Sequence, residues 1–183
     1  MSGRLILVTG GSGSGKSAWA EKKLLAEAAE AGGRAVYLAT MEPFGPEAAA
    51  RIERHRAMRK AHGAEVGTAF FDLEQTVDIG GAAVEPGDFV LLEDLGNLLA
   101  NEIWSPSGAG RDRAAERVLS GLQALLERTA LLIIVSNDVF SDGGGYDLDT
   151  EAYIRILGTL HRALAPLAEQ VVEVVCGIAL VQR

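Results

Sequence analysis

Short runs of β-forming residues alternate with longer helical segments along most of the 183-residue chain. Parallel strands need a crossover connection, usually a helix, so this alternation predicts a mostly parallel sheet with helices on both faces. The predicted strands are 5–9, 35–39, 89–93, 131–136 and 171–175. Cys176 and Gly177 then form a turn signal, and residues 178–181 predict a last, antiparallel strand. The expected fold class is therefore α/β in three layers, with an antiparallel C-terminal edge.

Five segments have the composition or the period of helices. Residues 16–31 are rich in Ala, Leu, Glu and Lys and stop at two glycines, which is a typical helix end. Pro46 can occupy the first turn of a helix that runs to about Lys60. A further helix is expected at 95–104. Apolar side chains recur at helical spacing in 112–128 and 150–167, so both segments are expected to pack on the sheet.

The composition is that of a globular protein with small partners. Hydrophobic residues make up 48% of the chain and charged residues 23%, which allows a sizeable core. The net charge of −8 and the lack of a long basic tract argue against a nucleic-acid-coating protein. A single cysteine rules out an internal disulfide and a cysteine-rich zinc site. No apolar run approaches the roughly 20 residues of a membrane span or resembles a signal peptide, so we expect one cytoplasmic domain over residues 1–183.

A glycine-rich loop follows the first predicted strand and leads into the first helix. Its eight residues match G-x-x-x-x-G-K-[ST], the phosphate-binding P-loop, and they are Gly10, Gly11, Ser12, Gly13, Ser14, Gly15, Lys16 and Ser17. The glycines let backbone N–H groups converge on phosphate oxygens, and the helix start adds the positive end of its dipole. Lys16 is the catalytic cation expected at the β- and γ-phosphates, and Ser17 would offer its hydroxyl to Mg²⁺. The alternative, a glycine-rich turn without a ligand, fits this strand-to-helix context less well.

Two carboxylates end the third predicted strand. Glu93 and Asp94 follow an apolar run, 89–92, that is typical of a buried parallel strand. Acids at such strand ends hold the Mg²⁺ shell in this kind of fold, so either Glu93 or Asp94 is a candidate metal partner. The alternative is that the acid only caps the next helix, since Asp is a favoured N-cap residue.

A histidine, His55, lies within the most basic stretch of the chain. The window 51–60 contains one acid and five cations, which are Arg51, Arg54, Arg56, Arg59 and Lys60. Residues four apart share a helix face, so Arg51, His55 and Arg59 would form one stripe. Guanidiniums bind phosphate oxygens and disfavour protonation of a nearby imidazole, which would leave His55 neutral and nucleophilic. Its attack on the α-phosphorus of a nucleotide would form a nucleotidyl-histidine and release pyrophosphate. The alternative is a solvated basic face with an uninvolved histidine. His62 and His161 have no such setting and are expected to be structural or exposed.

Several segments, in this order, resemble one enzyme family. Besides the P-loop they are AVYLAT, EAAARIERHRAMR, LLEDLGNLLANE, LIIVSNDVFSD and the C-terminal LGTLHRALAPLAEQVVEVVCGI. Together they resemble the bifunctional adenosylcobinamide kinase and adenosylcobinamide-phosphate guanylyltransferase of cobalamin synthesis over nearly the whole chain. The R-I-x-x-H-R and N-D-V-F-S-D segments are more specific than the P-loop, which many NTPases share.

The resemblance implies two reactions. A P-loop kinase core would phosphorylate adenosylcobinamide with ATP or GTP and Mg²⁺. GMP would then pass from GTP to the histidine that matches His55 and on to the phosphorylated corrinoid, giving adenosylcobinamide-GDP. The family also implies a homotrimer with a RecA-like core topology. By position, Arg56 and Arg59 would flank His55, and further nucleotide contacts would come from Thr40, Met41, Glu42 and Glu93.

The guanylyl half departs from the family pattern. Many members continue after the histidine helix with Arg-Pro, Trp and a Thr-x-Glu that binds GTP, whereas this chain reads RKAHG at 59–63 and TAF at 68–70. No glutamate clearly matches the guanine site, and Glu65 and Glu74 both stay open. Asp94 also replaces the usual residue after the strand-end Glu.

The segment 137–147 leaves the carboxyl end of a predicted strand, where open α/β sheets bind ligands. It contains three consecutive glycines, and we hypothesise a corrinoid-side flap with Asn137 or Asp138 near the acceptor hydroxyl. A solvated loop with Asx turns is the alternative.

Three other functions stay open from the sequence. The first is a P-loop kinase with a single activity, for which His55 is incidental. The second is a RecA-like NTPase that acts on a macromolecule, and the third is a nucleotide-binding module without chemistry.

Overall fold

The computed structural model describes residues 3–42, 45–140 and 144–183, and gives only the backbone of 45–52, 55 and 66. The described chain forms seven strands and five α-helices. The strands are β1 (Arg4–Gly10), β2 (Ala35–Ala39), β3 (Phe70–Glu74), β4 (Phe89–Glu93), β5 (Leu131–Asn137), β6 (Gln170–Val175) and β7 (Ile178–Val181). The helices are α1 (Lys16–Ala31), α2 (Gly45–Val66), α3 (Leu95–Trp104), α4 (Arg111–Arg128) and α5 (Leu148–Leu164).

All seven strands belong to one sheet in the order β3-β2-β4-β5-β1-β6-β7. Neighbouring strands are parallel except for the β6–β7 pair, which is antiparallel. The central strands are buried along almost their whole length, as expected for a sheet with helices on both faces. The predicted fold class, with its antiparallel C-terminal edge, is confirmed.

Each face of the sheet has its own apolar core. On one face, side chains of alternate strand positions pack with α1, for example Ile6, Ile133 and Leu24. On the other face, the intervening strand positions pack with α3, α4 and α5, for example Leu92 and Leu160. Because side chains alternate along a strand, the central strands contribute to both cores and hold the three layers together.

Several helix ends and one strand differ from the sequence prediction. Helix α2 continues past Lys60 to Val66, α4 begins one residue early at Arg111, and α5 runs from Leu148 to Leu164 rather than from residue 150 to residue 167. Pro166 accounts for the earlier end of α5: Ala165 still has helical backbone angles, but Pro166 has no N–H with which to continue the helical hydrogen bonds. Strand β3 was not predicted. It lies at the sheet edge with Phe71 half exposed, so its sequence lacks the apolar run of a central strand.

The parallel strands bring their carboxyl ends to one edge of the sheet. In the strand register Glu74 pairs with Ala39, Ala39 pairs with Glu93, and Glu93 pairs with Val135. Gly10 at the end of β1 pairs with Asn137 at the end of β5. The P-loop, the strand-end acids and Asn137 therefore share this edge.

Membrane insertion finds no support in the described helices, none of which has both the length and the apolar character to cross a bilayer.

Candidate active site

The P-loop has the backbone conformation that a phosphate cradle needs. Gly13 and Gly15 have φ of 70° and 92°, values that side-chain-bearing residues rarely adopt. Helix α1 begins at Lys16, and no side chain caps its N-terminus. Its first N–H groups are therefore available to an anionic ligand, where the helix dipole also favours negative charge.

The β6–β7 hairpin supports this loop from the side. Cys176 and Gly177 both have positive φ, as in the two-residue turns that suit hairpins, so the predicted tight turn is confirmed. The Gly177 N–H donates to the Ser14 carbonyl at 2.8 Å. A Cβ at position 15 would lie 3.3 Å from the Gly177 Cα, so a side chain there would press on the hairpin.

Lys16 lies back across the loop that it belongs to. Its Nζ donates to the Gly11 carbonyl at 3.2 Å, and the residue is buried. An ammonium group in this position lies within the cradle rather than in solvent. The structure thus places Lys16 where a bound triphosphate could take over its hydrogen bond.

Ser17 and Glu93 meet at the bottom of the cradle. The Ser17 hydroxyl donates to Glu93 Oε1 at 2.7 Å, while Glu93 Oε2 is buried and has no hydrogen-bond partner in the described part of the chain. Burial, together with the nearby carboxylates of Asp94 and Glu21, raises the pKa of Glu93 to about 8 against the opposing hydrogen bond from Ser17. A hydroxyl beside a carboxylate with an unpaired buried oxygen is the donor set that Mg²⁺ prefers, so these residues fit the metal. Within the described chain no three His, Cys, Asp or Glu residues form a metal-binding group, so a cation here would rely on Ser17, water and phosphate oxygens as well.

Asp94 has a different position from Glu93. It is the N-cap of α3, and its Oδ1 accepts the Asn97 N–H at 2.7 Å. Its Oδ2 lies 3.3 Å from the side-chain amides of both Asn97 and Asn137. The sequence left Glu93 and Asp94 as alternatives, and the structure sets Glu93 against Ser17 while Asp94 caps a helix and meets Asn137.

Thr40 joins the ends of two strands. It is buried, and its Oγ1 lies 3.0 Å from the Glu93 carbonyl and 2.9 Å from the Asp94 carbonyl. Asn101 donates to the Thr40 carbonyl at 2.7 Å, so α3 holds the same junction. Met41 and Glu42 follow half-buried at the same edge. The sequence analysis did not identify Asn97 and Asn101 as site residues. Their only sequence signal is that they are four residues apart and follow shortly after the strand-end acids Glu93 and Asp94.

The two arginines after His55 have unlike surroundings. Arg56 is exposed and forms ion pairs of 2.8 Å with Glu53 and with Glu74. Arg59 is 6% exposed, lies 3.7 Å from the centre of the Tyr37 ring and pairs with Asp72 at 3.2 Å. Arg56 is therefore at the surface beside the carboxyl edge, whereas Arg59 is packed inside the protein.

Helices α1 and α2 lie side by side in the same direction, because each follows a parallel strand. Glu21 pairs with His62 at 2.6 Å, and the next residue of α1, Lys22, pairs with Glu65, which lies three residues after His62 on α2, at 3.6 Å. His55 is seven residues before His62, or about 10 Å along the helix. Glu21 lies five residues, or about 8 Å, after the start of α1 at Lys16, so this geometry puts the α2 backbone at position 55 about level with the start of α1 and the P-loop. The side chain of His55 lies outside the described residues.

Position 55 shares a helix face with Arg59 and His62, since the three are four and seven residues apart. Arg59 and His62 both contact the body of the protein from this face. Of the two glutamates left open for guanine, Glu74 lies in register with Ala39 at the carboxyl edge. Glu65 lies at the far end of α2 and pairs with Lys22.

The other two histidines are partly buried, and each contacts a side chain of another element. His62 is mostly buried against Glu21. His161 lies on α5, where its Nε2 is 2.7 Å from Ser136 Oγ and its ring packs edge-on against Phe140. Burial lowers the pKa of His161.

The segment predicted to form a flap, 137–147, is described only in part, because Ser141, Asp142 and Gly143 lie outside the described residues. In the described part, the Asp138 side chain accepts the Phe140 N–H, as in an Asx turn.

These features define the class of protein. A P-loop joins a buried strand to a helix, the acid-ended strand β4 is separated from it by β5, and the sheet ends in an antiparallel pair. This is the three-layer fold of P-loop NTPases in its RecA-like form.

Comparison with known proteins gives the family. Residues 6–181 match the CobU family, described as cobinamide kinase / cobinamide phosphate guanyltransferase. The chain is 30% identical over 184 residues to the bifunctional adenosylcobalamin biosynthesis protein CobU of Salmonella typhimurium, covering 95% of this chain and 97% of that one. It is also 30% identical over 189 residues to the protein of the same name from Escherichia coli, with the same coverage. The chain therefore belongs to the CobU family, and it is a P-loop transferase of cobalamin biosynthesis.

Among solved structures, the flagellar accessory protein FlaH of Methanocaldococcus jannaschii is similar with a TM-score of 0.49 and 11% sequence identity. The match covers all of this chain and 79% of FlaH.

Proposed function

We propose that the chain phosphorylates adenosylcobinamide with a nucleoside triphosphate and then guanylylates the product through His55. Membership of a family described by both activities supports this assignment. The observation that carries it is the Glu21–His62 pair between α1 and α2: helix geometry from this pair puts the backbone at position 55 about level with the P-loop, on the face that it shares with Arg59 and His62.

For the kinase reaction, the P-loop amides and Lys16 would hold the triphosphate. Ser17 and Glu93 would hold Mg²⁺, which would neutralise the negative charge of the phosphates during transfer. Asn137 and Asp94 lie at the same edge and would orient the acceptor hydroxyl. In this arrangement the residues supply position and charge, which is most of what phosphoryl transfer requires.

For guanylyl transfer, a ring nitrogen of neutral His55 attacks the α-phosphorus of GTP. A P–N bond forms, the bond from Pα to the bridging oxygen of the β-phosphate breaks, and pyrophosphate leaves with both electrons of that bond. The phosphate of adenosylcobinamide phosphate then attacks the same phosphorus, and the imidazole leaves as the free base. The product is adenosylcobinamide-GDP, and the enzyme is regenerated.

Two charged residues are proposed as further participants. Arg56 is exposed near the carboxyl edge and could exchange its carboxylate partners for phosphate oxygens. Glu74 is the better placed of the two candidate guanine-binding acids, because it lies at this edge. Arg59 would support guanylyl transfer indirectly, through its contacts with Tyr37 and Asp72 inside the protein.

Labelling with radioactive GTP tests the proposal. The protein is incubated with GTP that carries ³²P at the α or the γ position, denatured, and assayed for retained label. We expect label from the α position only, in an acid-labile and base-stable bond typical of phosphoramidates. The variant His55→Asn should lose the label, whereas His161→Asn, on α5, should keep it.

Phosphorylation of adenosylcobinamide by the same preparations completes the test. The variant His55→Asn should keep this activity, because its P-loop is unchanged. Retention of α label in His55→Asn would reject the role of His55. Kinase activity without any α label in the wild type would identify a single-activity kinase instead.

A further inference from the structure

A group of polar and charged residues, mostly buried but with Asp72 exposed at its edge, joins α2 to the rest of the protein. It consists of Glu21 on α1, Tyr37 on β2, Arg59 and His62 on α2 and Asp72 on β3, and we call it the α2 anchor. His62 Nδ1 lies 2.6 Å from Glu21 Oε2, and Arg59 lies against Tyr37 and Asp72. Neither Glu21 nor His62 belongs to the catalytic or binding residues proposed above.

The described side chains of α2 have few other attachments. Of the α2 residues whose burial the structure describes, only Arg59 and Gly63 are buried, and the side chain of His62 is 13% exposed. Met58, an apolar residue of the same helix, is half exposed. The α2 anchor, rather than an apolar interface, therefore carries most of the contact that these residues make with the protein body.

The Glu21–His62 pair fixes both the height and the rotation of α2. Glu21 is 2% exposed and has one described side-chain partner, so a shift of α2 by one residue would leave its carboxylate buried and without that partner. Isolated buried charges are costly, which favours the single arrangement in which His62 meets Glu21. In that arrangement position 55 is level with the P-loop.

We propose that Glu21 and His62 form a positioning pair for guanylyl transfer, holding α2 where His55 can attack the nucleotide bound at the P-loop. The inference rests on the proposed function, since it assigns a purpose to the placement of His55. The pair acts through the helix and does not touch the substrate. The kinase reaction does not need α2 in place, because its phosphate and metal groups lie on the P-loop, α1 and β4.

The test compares two rates in the full chain: formation of the guanylyl adduct from α-labelled GTP in a single turnover, and phosphorylation of adenosylcobinamide. In Glu21→Gln and in His62→Gln we expect adduct formation to slow by about 10- to 100-fold, the cost of misplacing a reacting group by about 1 Å. The kinase rate should stay within about twofold of the wild type. The double variant should be no slower than the slower single variant, because both substitutions break one pair.

A matched control and a rescue separate positioning from a general loss of structure. Lys22→Gln and Glu65→Gln break an exposed ion pair between the same two helices, and both reactions should keep their wild-type rates. The exchange variant Glu21→His with His62→Glu restores a pair of opposite orientation and should recover part of the lost adduct rate.

Different outcomes would refute the proposed function and the positioning pair. Absence of the adduct in the wild type would refute the proposed function. An adduct in the wild type with unchanged rates in Glu21→Gln and His62→Gln would overturn the positioning pair alone. Equal loss of both reactions in these variants would also overturn it, because the pair would then only maintain the fold.

Discussion

Glu93 offers a test of the site in the absence of any substrate. Burial raises the pKa of its carboxyl from 4.5 to about 8, so the folded protein holds a proton there that the unfolded chain releases above about pH 5. Raising the pH therefore favours the unfolded state until the folded carboxyl also loses its proton near pH 8. Between pH 6 and pH 8 this costs the folded wild type about 2 kcal/mol.

The variant Glu93→Gln keeps the shape of the side chain and removes its titration. Its free energy of unfolding should exceed that of the wild type, by an amount that grows by about 2 kcal/mol from pH 6 to pH 8. Urea unfolding followed by circular dichroism, with a chelator and without nucleotide, measures this difference at each pH. The same variant should lose kinase activity, because it no longer offers a carboxylate to Mg²⁺.

Glu102→Gln is the control at a second buried carboxylate. Both oxygens of Glu102 accept backbone N–H groups, from Asp78 at 2.7 Å and from Ala109 at 2.9 Å. An amide nitrogen cannot accept one of these bonds, so this variant should be destabilised by about 1–3 kcal/mol. The reasoning about Glu93 is refuted if Glu93→Gln is less stable than the wild type at pH 8, or if its advantage does not change with pH.

Three further substitutions have separate expected outcomes. Lys16→Ala should slow both adduct formation and phosphorylation by about 100-fold or more, as loss of a preorganised charge at a transition state does, and steady-state assays measure this. Leu92→Ala removes a fully buried side chain of β4 and should lower the free energy of unfolding by about 2–5 kcal/mol in urea. Gly32→Ala places a side chain at φ 63° after α1, where no atom would clash, so the loss should be only about 1 kcal/mol.

The central sheet was predictable because burial on both faces leaves a strong signal. The predicted bounds of β2, β4 and β7 are those of the structure, β5 and β6 differ by one residue at one end, and β1 differs by one residue at both ends. The P-loop was predictable for a related reason, since its glycines are required by local backbone geometry. Strand β3 was missed because an edge strand with exposed positions lacks an apolar run.

The details of the site depend on contacts between distant parts of the chain. Glu21 reads as an ordinary surface residue of a charged helix, and it is buried because His62, 41 residues later, pairs with it. Arg59 belongs to a basic stripe in the sequence, yet it packs on a tyrosine of β2. The sequence also did not determine whether Glu93 or Asp94 contacts Ser17, because this depends on the backbone conformation at the end of β4. Local sequence patterns do not predict contacts between residues that are far apart in the chain.

Mapping the guanylyl group by mass spectrometry tests the central claim most directly. Protein treated with GTP and kept at neutral or basic pH is cleaved after glutamate, which releases residues 54–65 with both His55 and His62 in one peptide. Fragmentation of this peptide then locates the added GMP. We predict that the group is on His55, and its presence on His62 or on a residue outside this peptide would contradict the account.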